Sequence, residues 1–121
     1  MVENSDLFVP QSKGNVLYNY YATLLKHCKP NLFAVLIDLG FSTHKRINIR
    51  LRNLDYHEDK AQDIMKYCDK FFKNTNNKLM YFSFGPDEDG YMLGVIKDSG
   101  GVFNLNKLLV DNGLMFIKWK K

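Results

Sequence analysis

The chain has 121 residues, of which 45% are hydrophobic, 14% aromatic and 25% charged. These values fit one globular domain with its own core, and they argue against a disordered tail or a two-domain enzyme. Seventeen Lys and Arg against thirteen Asp and Glu leave a net charge of +4, which is consistent with a polyanionic partner such as nucleic acid but is also common without one.

Other features of the sequence predict a cytoplasmic protein without membrane contact. The longest apolar run, residues 32–37, is too short to cross a membrane, and the N-terminus has no apolar signal-peptide segment. Cys28 and Cys68 lack the paired spacing of a zinc site or a redox motif. We therefore predict two buried free thiols in a reducing compartment.

The first half of the chain predicts three strands joined by short turns. Residues 1–15 are expected to be a loose lead-in to a single domain at 16–121. β-branched and aromatic residues predict strands at 16–25 and 32–39. A third strand at 45–54 alternates strictly between apolar and polar positions. Its polar face carries all three arginines of the chain: Arg46, Arg50 and Arg52.

The second half predicts a helix, two strands and a shorter helix. Apolar residues at steps of three and four form one helical stripe: Ala61, Ile64, Met65, Cys68, Phe71 and Phe72. Asp59 and Gln62 resemble a capping box that starts this helix near Lys60. The helix is expected to end at 74–77.

Strands at 79–84 and 91–96 follow, separated by a turn at 85–90. Asn104 is expected to cap a helix at 105–111, which Asn112 and Gly113 end, and 114–119 is a last extended piece. This order predicts a mainly β, α+β fold. It matches the five-stranded Greek-key barrel of the OB-fold, with a helix between strands 3 and 4 and a short helix after strand 5.

Four segments resemble the staphylococcal nuclease family of thermonuclease-like domains. Residues 49–58 (IRLRNLDYHE) are similar to a family strand that ends in R-L-x-x-x-D-x-P-E before the first helix, and residues 37–41 (IDLGF) resemble a segment that one subgroup of the family has ahead of this strand. Residues 89–94 (DGYMLG) and 106–114 (NKLLVDNGL) resemble its Y-G-R-x-L and N-x-x-L-V-x-x-G-L-A segments. The family has an OB-fold and cuts DNA and RNA with Ca2+, and many of its members are phage-encoded.

The resemblance assigns catalytic roles to three residues. Asp55 matches a metal-binding Asp, Glu58 matches the Glu that orients or deprotonates water, and Arg50 matches one of two phosphate-neutralising arginines. Each also has a structural interpretation, because turns and helix N-termini favour carboxylates and a solvated strand face favours arginines. The retained family spacing favours an inherited site.

Two parts of the family site are missing. Asn31 stands at the position of the second metal-binding Asp, and an Asn carbonyl brings Ca2+ no charge. The second catalytic arginine maps to Tyr91, and no arginine follows Arg52. Losing one such charge partner typically costs on the order of 10²- to 10³-fold in rate. Ca2+ is therefore implied only for a site that this chain has partly lost.

The turn before Tyr91 is acidic, where the family has a Lys and a Tyr that hold a phosphate. It consists of Asp87, Glu88 and Asp89. These carboxylates either repel a nucleic-acid backbone within a Debye length of about 8 Å, or they point away from the pocket. Both arrangements remain open at this stage.

Two further residues have weaker signals. Trp119 matches a family aromatic that lines the pocket, and it either stacks on a base or plugs the barrel. His57 replaces the family Pro before Glu58 and is a minor candidate for a base.

Three functions follow from these residues. The favoured one is a degenerate nuclease-fold protein that binds nucleic acid through the arginine face and Trp119, or a protein through the altered pocket, with weak or absent cleavage. The second is an active Ca2+-dependent nuclease in which Asp55 and Asn31 hold the ion. The third is a protein inhibitor or adaptor. The sequence does not specify the oligomeric state.

Overall fold

The computed structural model describes residues 18–118. Its elements are β1 (Tyr18–Lys29), β2 (Leu32–Gly40), β3 (Thr43–Leu51), β4 (Leu54–Asp55), α1 (Ala61–Asn74), β5 (Lys78–Pro86), β6 (Met92–Asp98), α2 (Leu105–Asp111) and β7 (Phe116–Ile117). Five of the strands close a barrel in the order β1-β2-β3-β6-β5, and β4 pairs with β7 beside it. Neighbouring barrel strands are antiparallel except β3 and β6, which are parallel.

This arrangement confirms the predicted fold class. Helix α1 connects the third and fourth barrel strands, and α2 follows the fifth, as in an OB-fold. The lead-in at 1–15, the domain boundary at residue 16 and Trp119 lie outside the described residues. No helix within residues 18–118 is long and apolar enough to cross a membrane.

Two strand ends differ from the sequence prediction by three residues or more. Strand β1 continues to Lys29, because its second half pairs with β2, for example His27 with Phe33. Strand β3 ends at Leu51 instead of residue 54. Asn53 has a φ of 58°, which is incompatible with a continuing strand, and the chain restarts as the short β4.

Helix α1 has the predicted buried face and starts next to the predicted residue, but it lacks the predicted cap. Ile64, Cys68 and Phe72 are buried, which confirms the apolar stripe. The predicted capping box is wrong, because a 3-10 turn precedes the helix and Asp59 lies inside it. Lys60 occupies the N-cap position without a side-chain hydrogen bond.

Helix α2 matches its prediction and is fastened to β6. The side chain of Asn104 accepts a hydrogen bond from a backbone N–H of the first turn, and Gly113 ends the helix with a φ of 72°. Asn106 is fully buried. Its Oδ1 accepts the N–H of Ile96 at 3.0 Å, and its Nδ2 donates to the carbonyl of Gly94 at 3.3 Å.

The two cysteines are free, as predicted, but only one is buried. Burial, with a smaller effect from the Asp69 carboxylate, raises the pKa of the Cys68 thiol to about 12, so this thiol is unreactive at neutral pH. The expectation that Cys28 is buried is wrong. A register shift between His27 and Lys29 interrupts β1 at this residue, and its side chain is exposed.

The surroundings of His27 predict that the stability of the barrel depends on pH. Its ring stacks on Phe33, with centroids 4.2 Å apart, and its Nε2 lies 3.1 Å from the Pro30 carbonyl oxygen. Burial lowers the pKa of His27, against smaller raising effects from the Pro30 carbonyl and the Asp69 carboxylate. The folded state therefore prefers the neutral ring, and this stability is lost as pH falls below the unfolded pKa of about 6.5.

We expect the free energy of unfolding to decrease as pH falls from about 6.5 to 5, as measured by urea titration. His27→Phe retains the stack and should flatten this dependence. His44→Gln changes an exposed histidine and should leave it unaltered. An equal pH dependence in the wild type and His27→Phe would contradict the role given to His27.

Candidate functional site

Three residues that the family resemblance singles out line one cleft. Asn31, Arg50 and Asp55 border a space of about 290 Å³, together with Lys118. Asn31 lies in the β1–β2 turn, and its carbonyl accepts the N–H of Leu51 at 3.1 Å, which ties this turn to the end of β3. The fold thus brings together residues from three separate parts of the sequence.

Arg50 is already neutralised by other residues of the chain. Its Nη1 donates to Oδ2 of Asp87 at 2.9 Å and to Oδ2 of Asp89 at 3.0 Å, and the ring of Tyr91 lies 4.6 Å from its Cζ. The Asp87 side chain is 0% exposed and that of Arg50 is 29% exposed. The acidic turn (residues 87–89) therefore points at the cation that the resemblance assigns to the phosphate.

Asp87 also holds the acidic turn in shape. Its Oδ1 accepts the N–H of Asp89 at 2.8 Å and that of Tyr91 at 2.9 Å. Its own N–H donates to the Tyr91 carbonyl at 2.7 Å, and Gly90 reverses the chain with a φ of 86°. One carboxylate thus orders the turn with one oxygen and binds Arg50 with the other.

Asp55 is paired with a lysine that sequence reasoning missed. The antiparallel pairing of β4 with β7 places Asp55 opposite Phe116. Lys118, two residues further on, brings its Nζ to 3.4 Å from Oδ2 of Asp55. The second oxygen, Oδ1, accepts the N–H of Tyr56 at 2.8 Å. The sequence signal for this partner is weak and consists of the close spacing of Lys118, Lys120 and Lys121.

These donors do not fit a Ca2+ site. Ca2+ takes six to eight oxygen ligands, usually with several carboxylates among them. Asn31 and Asp55 supply a single carboxylate, and the ammonium of Lys118 lies next to it. Within residues 18–118, no three His, Cys, Asp or Glu side chains are grouped so as to hold a metal ion. A protein cation therefore stands beside the carboxylate that the resemblance gives to a metal.

Glu58 and His57 are not joined to the cleft by described contacts. Glu58 is exposed in the 3-10 turn before α1 and is absent from the described lining of the cleft. The ring of His57 packs 4.8 Å from that of Phe116 on β7. Neither residue has a hydrogen bond or ion pair with Arg50 or Asp55 in the described part of the chain.

A larger cleft, which we call the β3 cleft, lies between the outer face of β3 and the acidic turn. It has a volume of about 500 Å³, and its lining includes Lys45, Arg46, Asn48, Asp89 and Tyr91. Lys45 and Arg46 are exposed and form no ion pair with the described residues. Two cations therefore border this cleft with their charges open to a ligand.

The three arginines predicted to share one face lie in three different environments. Arg46 is exposed, Arg50 is bound to the acidic turn, and Arg52 stacks on Phe84 with its Cζ 3.8 Å from the ring centroid. Burial lowers the pKa of the Arg52 guanidinium. Of the three, Arg46 is the one whose charge faces solvent without a partner among the described residues.

Comparisons with known proteins do not establish a family. No protein-family model and no curated protein sequence matches the chain significantly. The OB-fold itself hosts many unrelated functions. The functional interpretation therefore depends on the charges and contacts of the two clefts.

Proposed function

We propose that this chain is a divergent staphylococcal nuclease-like protein that binds nucleic acid and has weak or no phosphodiesterase activity. The observation that carries the proposal is the ion pairing of Arg50 with Asp87 and Asp89. An arginine that stabilises charge in a transition state must be free to donate to the phosphate. Here two carboxylates already accept from its Nη1 and offset its positive charge, which weakens the contacts that its other N–H groups could make to a phosphate.

Breaking this arrangement is costly. If Arg50 turned to a phosphate, the fully buried carboxylate of Asp87 would lose its cation. Leaving one partner of a buried pair alone typically costs about 3–5 kcal/mol. A cost of about 3 kcal/mol in the transition state corresponds to more than 100-fold in rate. The internal pair therefore opposes catalysis directly.

Two other differences from the family site also lower the expected rate of phosphodiester hydrolysis. Tyr91, at the second arginine position of the resemblance, brings an aromatic ring and no charge. Asp55, at the metal-binding position, lies beside the ammonium of Lys118. Such losses are not additive, but each removes a charge interaction on which metal-assisted phosphodiester hydrolysis depends.

The lining of the β3 cleft supports nucleic-acid binding, the second part of the proposal. Lys45 and Arg46 have no carboxylate partner within residues 18–118, and the Tyr91 ring lines the same cleft. Open cations beside an aromatic surface are the combination with which OB-folds bind single-stranded nucleic acid. Binding of this kind depends on salt, because phosphate contacts release counterions.

Fluorescence anisotropy with a labelled single-stranded DNA, measured over a series of salt concentrations, tests this binding. We expect the logarithm of the affinity to fall linearly with the logarithm of salt. A Lys45→Gln/Arg46→Gln variant should lower the magnitude of the slope by about 1.4, since each single-strand phosphate contact contributes about 0.7. Lys66→Gln/Lys70→Gln removes the same charge from α1 and is the control. An affinity that does not change with salt would contradict the proposal.

A protein-binding role, as inhibitor or adaptor, is favoured by a separate groove beside α1. This groove has a volume of about 240 Å³, and Tyr67, Lys70, Phe71 and Phe103 are among its lining residues. Phe103 is 57% exposed, and its neighbour Val102 is 73% exposed. Absence of nucleic-acid binding in the salt titration would favour this second function over the first.

A further inference from the structure

The β2–β3 hairpin extends beyond the barrel as an exposed arm. Every residue from Asp38 to Arg46 is exposed, and we call this segment the arm. Its two sides remain paired, with Asp38 opposite His44 and Ile37 opposite Lys45. The segment is therefore an ordered two-stranded ribbon that has both faces in solvent.

The tip of the arm presents an aromatic side chain that neither the core nor the turn requires. Phe41 is fully exposed and has a φ of 53°, and Ser42 follows with a φ of 60°. Turns with two positive φ values favour Asn-Gly or Asp-Gly, and a bulky residue in this region is an outlier. The Asp38 carboxylate accepts the N–H of Gly40 at 2.8 Å, which orders the chain before the tip.

Cations and a second aromatic ring follow the tip along β3. Lys45 and Arg46 follow Phe41 after three intervening residues. The cleft that these two cations border also contains Tyr91. From Thr43 to Asn48, β3 covers about 17 Å. Aromatic rings at both ends with cations between them match the chemistry of a single strand, whose bases stack on rings and whose phosphates contact Lys and Arg.

We propose that the arm and the β3 cleft form a binding path for single-stranded nucleic acid, in which Phe41 stacks on a base and Lys45 and Arg46 contact the flanking phosphates. This proposal deepens the proposed function and rests on it. The path does not use the guanidinium of Arg50, so the strand binds while the ion pairs with the acidic turn stay closed.

The same tip chemistry favours a nucleic acid over an anionic membrane. Membrane-surface segments bury a broad apolar face, whereas the arm exposes one aromatic ring and the partly exposed Leu39. The adjoining cleft contains Asn48 and Tyr91, which suit bases and their polar edges. An apolar lipid boundary offers no partner to these polar groups.

Anisotropy titrations of the full chain with a single-stranded oligonucleotide of about 12 nucleotides, a length within OB-fold site sizes, test the path. Phe41→Ala should weaken binding roughly 5- to 100-fold, as expected for one lost base stack. Phe41→Tyr should bind like the wild type, and Phe41→Leu, which keeps apolar bulk without a ring, should bind like Phe41→Ala. Tyr21→Ala removes a different exposed aromatic, which lies on β1, and should have no effect.

The outcomes separate this inference from the proposed function. Salt-dependent binding that Phe41→Ala leaves unchanged would overturn the arm and leave the proposed function standing. Binding that Phe41→Leu retains would overturn base stacking.

A further experiment tests whether the protein sediments with anionic phosphatidylserine vesicles. If this sedimentation requires Phe41 while oligonucleotide binding does not, the arm binds membranes and the inference is overturned. Absence of any salt-dependent nucleic-acid binding would overturn both proposals. A Phe41 effect that is equal for duplex and single strand would also contradict stacking on an unpaired base.

Discussion

Replacing Asp87 and Asp89 by Asn is expected to tighten the binding of single-stranded nucleic acid at least tenfold at physiological salt. The double substitution removes two negative charges from the acidic turn, of which Asp89 borders the β3 cleft, and it frees the Arg50 guanidinium to reach a phosphate. One additional phosphate contact also increases the magnitude of the salt slope by about 0.7. Both quantities are measured by anisotropy titration.

The choice of Asn separates charge from turn geometry. The Asn side-chain oxygen at position 87 still accepts the N–H groups of Asp89 and Tyr91 that order the turn. The single variant Asp89→Asn changes a carboxylate that is 65% exposed, so it should retain stability and show a smaller gain in affinity of the same sign. Surface ion pairs of this kind contribute about 0–1 kcal/mol.

A matched control changes the net charge by the same amount elsewhere. Asp63→Asn/Asp69→Asn removes two exposed carboxylates from α1, and we expect it to alter affinity much less than the substitutions in the acidic turn. Equal effects of the two double variants would show that net charge alone controls binding. That result would contradict the role given to the ion pairs of Arg50.

Gly94→Ala is expected to lower the free energy of unfolding by about 3 kcal/mol. Gly94 lies on β6 opposite Ser83 of β5. A Cβ at Gly94 would collide with Cε1 of Tyr81 and would lie 2.7 Å from its Cδ1 and 2.9 Å from the backbone oxygen of Phe82. Tyr81 is buried and its hydroxyl donates to the Leu93 carbonyl at 3.1 Å, so the ring has no free space to move into.

Gly100→Ala is the control for this substitution. The nearest atom to a Cβ at Gly100 is Oδ2 of Asp98 at 3.5 Å, which is an ordinary contact. We expect a change below about 0.5 kcal/mol, measured by urea titration alongside Gly94→Ala. Similar stability of the two variants would contradict the close packing of β5 on β6. That packing matters for the site, because the two strands carry the acidic turn to Arg50.

The sequence predicted the elements whose signals are local. Two predictions depended only on neighbouring residues, and the structure confirms both. They are the helical stripe of Ile64, Cys68 and Phe72 and the capping residue Asn104. The barrel followed from the order of such elements. The end of β3 was wrong, because the positive φ of Asn53 is not encoded by the alternation that precedes it.

The site depended on contacts that are distant in sequence. Arg50 and Asp87 are separated by 37 residues, and Asp55 and Lys118 by 63. Composition and periodicity carry no information on which charged side chains meet across a barrel. The sequence therefore left open whether the acidic turn faces the pocket, and the parallel pairing of β3 with β6, which places Arg50 opposite Leu93, decides it.

The most direct test of binding without cleavage is a single-turnover incubation. Excess protein is mixed with an end-labelled single-stranded DNA or RNA in millimolar Ca2+, Mg2+ or Mn2+, and each sample is analysed on a native and on a denaturing gel. An Arg50→Ala/Glu58→Ala variant is run beside the wild type. We predict a retarded band on the native gel and a full-length strand on the denaturing gel. Shortened strands that the wild type produces and the double variant does not would contradict the proposed function.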